Sequence, residues 1–295
     1  MIERNPYVIY QDMRGMLGHI AKKFLFIVLM ALAGISSASA RDIAEYFARH
    51  NESAQDTPMD FAPWSHFLTT YVEPGINGVN RIDYKRVSDE DHEALVRFID
   101  ITLATIPVSR LRRQEQLAYW INLYNALIVR VALDHYPVSS IRDINISGLF
   151  SRGPFKRRLA KVENREISLS DIRDIILMPP IFNDSRIPYA LCDGTMGGPQ
   201  IWPEAFQPAT IDFQLNRAAT NFVNHPRAFS IEDTRLTASM LYKWQKTAFG
   251  KQDVDILLHA IRFADPGLVP TLSSHSQIDD YFYDWRLNEP DIFRP

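Results

Sequence analysis

Apolar residues recur at three- and four-residue spacing through most of the chain, and that period predicts helices. The clearest run is "RRQEQLAYWINLYNALIVRVALDHYP", in which Leu117, Trp120, Ile121, Tyr124, Leu127, Ile128 and Val131 form one stripe. It closes at Tyr136-Pro137, because proline disfavours helix in the residue before it. The same period predicts a helix through Phe61, Trp64, Phe67, Leu68 and Tyr71, and another over "SDEDHEALVRFIDITLATI", whose acidic start suits a helix N-terminus. Further helices are predicted for "DIAEYFARHN", "IDFQLNRAATNFVNHP", "MLYKWQKTAFG" (stopped by Gly250) and "DVDILLHAIRFAD". A helix capped by Ser168 or Ser170 ends at Pro179-Pro180.

Alternating positions are fewer and shorter. A turn at Asn77-Gly78 leads into "VNRIDY", two strands flank Glu163-Asn164, and a hairpin crosses Glu232-Asp233. Helices outnumber strands, so the pattern predicts a helix-dominated α+β fold with a few short strands, and not a doubly wound sheet.

The first forty residues follow another pattern. Lys22-Lys23 precede "FLFIVLMALAGI", and a small-residue site ends at Ala40. That arrangement predicts a secretory signal peptide at residues 1–40, with Met1, Met13 or Met16 as alternative starts; an uncleaved anchor is the competing reading. The apolar run is shorter than the roughly 20 residues of a membrane span. The expectation is an exported protein, periplasmic or secreted, with a single domain over residues 41–295 and no stable membrane span after cleavage. Removal of residues 1–40 takes away four basic and two acidic side chains and shifts the net charge from −3 to −5. A mildly acidic exported chain is a poor nucleic-acid binder.

The candidate chemistry is sparse. One cysteine, Cys192, excludes an internal disulfide and a cysteine-based zinc site. It sits in "YALCDGTMGGPQIWPEAF" and is either a nucleophile or a buried apolar side chain. Asp193 beside it would raise the thiol pKa, and if Ile187–Leu191 is extended, neighbouring side chains there point to opposite faces. Asn122 and Asn125 share one flank of the long helix; they either hold a neighbouring loop or line a pocket. "KRR" at Lys156–Arg158 offers an anion-binding or a solvated basic face. "DDYFYDWRLN" offers a stacking surface or a tail that docks on the core. Gly194, Gly197 and Gly198 form no phosphate loop, because no Gly-Lys-Ser/Thr follows.

"EQLAYWINLYNALIVRVALDHYPVSSIRDI", followed in order by "GPFKRRL", "ISLSDIRDIILMP", "RIPYAL", "GGPQIWPEAF", "NHPRA", "YKWQKTAFG" and "YDWRLN", resembles the family called domain of unknown function 547 (DUF547). The resemblance runs over residues 61–288. Members of that family carry two cysteines and two histidines in these blocks. Aligned here, the cysteine positions fall on Asp193 and Gly198, and the histidine positions on Pro188 and Asp174, with Arg173 in place of a glutamate. The resemblance therefore implies a divergent member without thiol chemistry, keeping a pocket for a small molecule or protein partner. Together with helix geometry it places Trp120, Asn122, Asn125, Asp174, Asp193, Gly197, Gly198 and Trp202 around that pocket. No cofactor and no metal are implied, and whether the chain is an enzyme stays open, with a binding role favoured. Two catalytic alternatives stand beside it. One is a thiol hydrolase or acyltransferase, papain- or transglutaminase-like by analogy, using Cys192 with His135 or His225. The other is a carboxylate-based hydrolase using Asp174 and Asp193.

Overall fold

The computed structural model describes residues 40–55, 59–148 and 151–290. The segment read as a signal peptide lies, apart from Ala40, outside the described residues. The chain divides into two compact units, Met1–Glu45 and Tyr46–Pro295. In the second, helix far outweighs strand among the described residues and the sheets are small, so the fold is α+β and helix-dominated.

Helix α1 (Ala62–Tyr71) buries Trp64, Phe67, Leu68 and Tyr71 on one face. It runs directly into β1 (Val72–Pro74), which pairs antiparallel with β2 (Asn80–Ile82). The turn at Asn77-Gly78 thus joins two strands where the sequence pattern indicated one. Helix α2 (Asp89–Arg97) starts at Ser88, whose hydroxyl accepts from the Asp91 N–H; Asp89, Glu90 and Asp91 complement the helix dipole. The backbone then widens into a π turn over Phe98–Leu103.

Helix α3 (Arg113–Asp134) is the axis of the fold. Glu115 reaches back to the Arg112 N–H at 2.9 Å and fixes its start. Every residue from Glu115 to Val129 is buried. The expected stripe is only the most apolar strip of a helix enclosed on all sides, as its near-continuous apolar sequence allows. Each large apolar side chain buried there contributes about 1.5–3 kcal/mol.

Strands β3 (Arg158–Val162) and β4 (Arg165–Ser168) form the hairpin around Glu163 and Asn164, whose φ values of 44° and 66° make the left-handed turn that suits strand twist. Ser168 and Asp171 cap each other's backbone N–H, and a single helical turn passes into a π turn over Ile172–Ile176. Ile187–Ala190 is a 3-10 helix, not an extended run, so side-chain alternation does not decide where Cys192 points.

The remaining elements build a second core. Helix α4 (Ile211–Val223), the hairpin β5 (Phe229–Glu232) and β6 (Arg235–Ser239), and helix α5 (Asp253–Ile261) enclose Tyr189, Phe222, Tyr242, Phe249 and Leu257. Strand β7 (Asp280–Phe282) joins β6 in parallel. Beyond it the tail is stitched to the loop after Cys192: the Met196 N–H donates to Arg286 O, the Gly197 N–H to Asp284 O, and the Asn288 N–H to Gly194 O. The Ser140 hydroxyl donates to Trp285 O at 2.6 Å. No helix among the described residues is long and apolar enough to cross a membrane.

Candidate functional site

A cavity of about 480 Å³ opens where α3, the Arg173 turn, the 187–199 segment and the tail meet. Helix α3 contributes Tyr124, the π turn Arg173, and the segment after the 3-10 helix Leu191 and Asp193. The helix Met240–Trp244 contributes Leu241 and Trp244, and the stitched tail contributes Trp285. Phe155, Lys156, Arg142 and Arg152 complete a basic and aromatic rim.

The aromatic wall is one packed unit. Trp285 lies 5.2 Å from Trp244 and 4.8 Å from Tyr283, and the Arg142 guanidinium sits 4.4 Å above the Trp285 ring. This geometry depends on the tail hydrogen bonds, which fix Trp285 in the backbone register of Ser140 and Gly197.

The polar floor is built around Asp193. Its carboxylate accepts from the Thr195 hydroxyl at 2.6 Å, from the Thr195 N–H at 3.1 Å and from the Tyr283 hydroxyl. Burial nevertheless raises its pKa above the ordinary carboxylate value, against the pull of those donors and of the Arg173 charge. Gly198 is packed against it. A Cβ there would stand 2.3 Å from Asp193 Oδ1 and 2.8 Å from the Tyr283 hydroxyl, so the carboxylate occupies space that only glycine leaves. Arg173 makes a bidentate pair with Asp174, at 2.7 and 2.8 Å, and Gln245 reaches Asp174 at 3.5 Å. The Tyr124 side chain lines the cavity, and its fully buried hydroxyl has no hydrogen-bond partner among the described residues. An unsatisfied buried hydroxyl costs about 1–3 kcal/mol.

The residues singled out from the sequence are distributed unevenly around this cavity. Asp193 lines it, and exposed Asp174 adjoins it through Arg173 and Gln245. Asn122 is fully buried and clamps the backbone of Phe206, donating to its carbonyl at 2.8 Å and accepting from its N–H at 3.0 Å. Asn125 does the same across two residues, donating to Ala190 O at 3.0 Å and accepting from the Cys192 N–H at 2.9 Å. Trp120 packs edge-on against Phe47 inside the core, and Trp202 lies under the Arg217 guanidinium at 4.2 Å. Gly197 faces a smaller, separate cavity.

Cys192 is 1% exposed. Its sulfur lies 3.5 Å from Asn288 Nδ2, and burial followed by the Asp193 charge pushes its pKa up to about 12. Such a thiol is protonated at neutral pH. Of the two histidines considered as its base, His135 hydrogen-bonds the Val131 carbonyl at the end of α3, and His225 lines the smaller cavity. Among the described residues no group of three or more His, Cys, Asp or Glu could hold a metal ion.

The positions where the DUF547 resemblance places thiols and imidazoles converge here. Asp193 and Pro188 line the cavity, Gly198 backs onto Asp193, and Asp174 is held by Arg173. Tyr124, Arg142, Trp244 and Trp285 escaped the sequence reading. The only traces of them were the helical stripe, the Trp in "YKWQK" and the aromatic tail. Residues 108–223, the stretch from before α3 through α4, match the family model described as "Protein of unknown function, DUF547". Trp244, Tyr283 and Trp285 lie beyond the matched residues. No curated protein and no solved structure matches the chain.

Proposed function

We propose that this chain uses its DUF547 domain, together with the C-terminal tail, to bind a small anionic ligand with a flat apolar part, without thiol chemistry. The observation that carries this reading is the Tyr124 hydroxyl, buried in the cavity wall with no partner among the described residues. A ligand acceptor would satisfy it. The volume of about 480 Å³ falls in the range of small-molecule sites, about 300–1,000 Å³. Trp244, Trp285 and Phe155 offer faces for stacking. Arg142, Arg152, Lys156 and Arg173 outnumber Asp193 around the same space, which favours an anionic group.

The high pKa and burial of Cys192 support a binding role over a papain-like one. The basic edge, apolar run and small-residue site before Arg41 support export, so the ligand would be met outside the cytoplasm.

The test is a screen of small aromatic carboxylates and monophosphates by thermal shift and tryptophan fluorescence, repeated on Tyr124→Phe. The expected result is saturable binding that weakens at least tenfold in the variant, with the variant's own melting temperature unchanged or raised. Equal affinity of both proteins for every compound that binds would overturn the reading.

A further inference from the structure

The second cavity, of about 150 Å³, has a different character. Its wall includes Arg81, Arg227 and Arg286, with His225, Asn77 and Asp284. Arg286 is paired with Asp284, donating from Nε at 3.0 Å to both carboxylate oxygens. Arg81 donates to the Asn80 carbonyl and the Asn77 side-chain oxygen, both at 3.2 Å. Arg227 differs from both. All three of its guanidinium nitrogens are shielded from solvent, and none has a hydrogen-bond acceptor among the described residues. The guanidinium carbon lies 5.1 Å from the Phe222 ring, and the Asp193 charge acts on it without a hydrogen bond among the described residues.

A buried guanidinium with five unsatisfied donors is costly, and a second guanidinium nearby adds repulsion. Burial and the Arg81 charge together pull the Arg227 pKa down to about 10, so it remains charged at neutral pH. His225 adds no compensating negative charge. Its Nδ1 accepts from the Arg227 N–H at 3.1 Å, and burial followed by the Arg227 charge lowers its pKa. The carboxylate of Asp284 is held by Arg286. The cavity is therefore cationic in sum, polar, and too small for a drug-sized molecule, which needs about 300 Å³ or more.

We infer that this cavity is a binding site for a small tetrahedral oxyanion of the phosphate or sulfate class, held by Arg227 and Arg81. An oxyanion presents several acceptors to a planar guanidinium and supplies the charge that Arg227 lacks. The site is separate from the larger cavity. The Tyr283 side chain stands between them, lining the smaller one and donating to Asp193 in the larger.

The experiment is calorimetric titration of the full-length chain with sodium phosphate, and in parallel sodium sulfate, at pH 7.5 against chloride of matched ionic strength. The expected result is one saturable site for phosphate or sulfate that chloride does not fill. Arg227→Met should weaken it at least tenfold, while Lys85→Ala, exposed and in neither cavity, leaves it within twofold. A folded Arg227→Met that keeps wild-type affinity would overturn the assignment. So would a wild-type chain that binds neither oxyanion better than chloride, and that outcome stands whether or not Arg227→Met folds.

Discussion

Alkylation of Cys192 tests the chemistry of the larger site most directly. The perturbation is iodoacetamide added to the folded chain and to the chain in urea, from pH 6 to 9. Two quantities set the expected ratio of rates. Burial and Asp193 raise the thiol pKa from 9.0 to about 12. Since only the thiolate reacts, the folded form carries about a thousandth of the reactive species of the unfolded form at pH 7.5. The second quantity is access. At 1% exposure the sulfur is reached mainly when the fold opens. With a stability of at least about 5 kcal/mol, the open state is present once in roughly 5,000 molecules. Either route limits the folded rate to about a thousandth of the unfolded rate or less. The assay is the mass shift of the intact chain over time. A folded chain that reacts within tenfold of the unfolded one, or whose rate rises with a midpoint below pH 8, would refute the reasoning and revive a thiolate nucleophile.

Three further substitutions probe the scaffold. Burial, with the Arg262 charge, lowers the His259 pKa from 6.5 to about 4, so between those values the unfolded chain takes up a proton that the folded chain refuses. This stability is full above about pH 6.5 and is lost as pH falls toward 4, by up to about 3 kcal/mol and by about 2 kcal/mol at pH 5. Urea melts at pH 7 and pH 5 should show wild type losing about 2 kcal/mol more than His259→Phe, and an equal loss in both would count against a buried neutral imidazole. Gly198→Ala should destabilise by about 1–3 kcal/mol, because the added carbon meets an Asp193 carboxylate locked by Thr195 and Tyr283. In Asp193→Ala that cost should shrink by at least about 0.5 kcal/mol, and strict additivity of the two changes in urea melts would break the argument.

The elements were legible where one local signal sufficed. The apolar run of α3, the Glu163-Asn164 turn and the Ser168 cap each carry their cause within a few residues. What was not legible depends on distant partners. Strand β1 exists because β2 pairs with it, and nothing in "VEP" alone predicts a strand. Ile187–Ala190 is apolar because it is buried on all sides, and periodicity cannot tell a short buried run that is extended from one that is coiled. At the site, Asp193 and Asp174 stood out only as departures from a family pattern. Tyr124 read as one more stripe residue, since no sequence signal marks a hydroxyl that lacks a partner. Trp285 reached the cavity through the Ser140 hydroxyl and through main-chain bonds of its segment to residues 139 and 194–197, a pairing that its own segment does not encode.

The two asparagines of α3 grip main-chain atoms, and main-chain atoms are the same whatever residue is there. Asn122 and Asn125 fix the course of the strands of backbone at Phe206, Ala190 and Cys192 without consulting their side chains. Such a frame is indifferent to its cargo. A carboxylate can stand at position 193 once position 198 is a glycine that makes room for it, while the rim of the cavity stays where the helix has pinned it. Chemistry in this fold is free to change faster than shape.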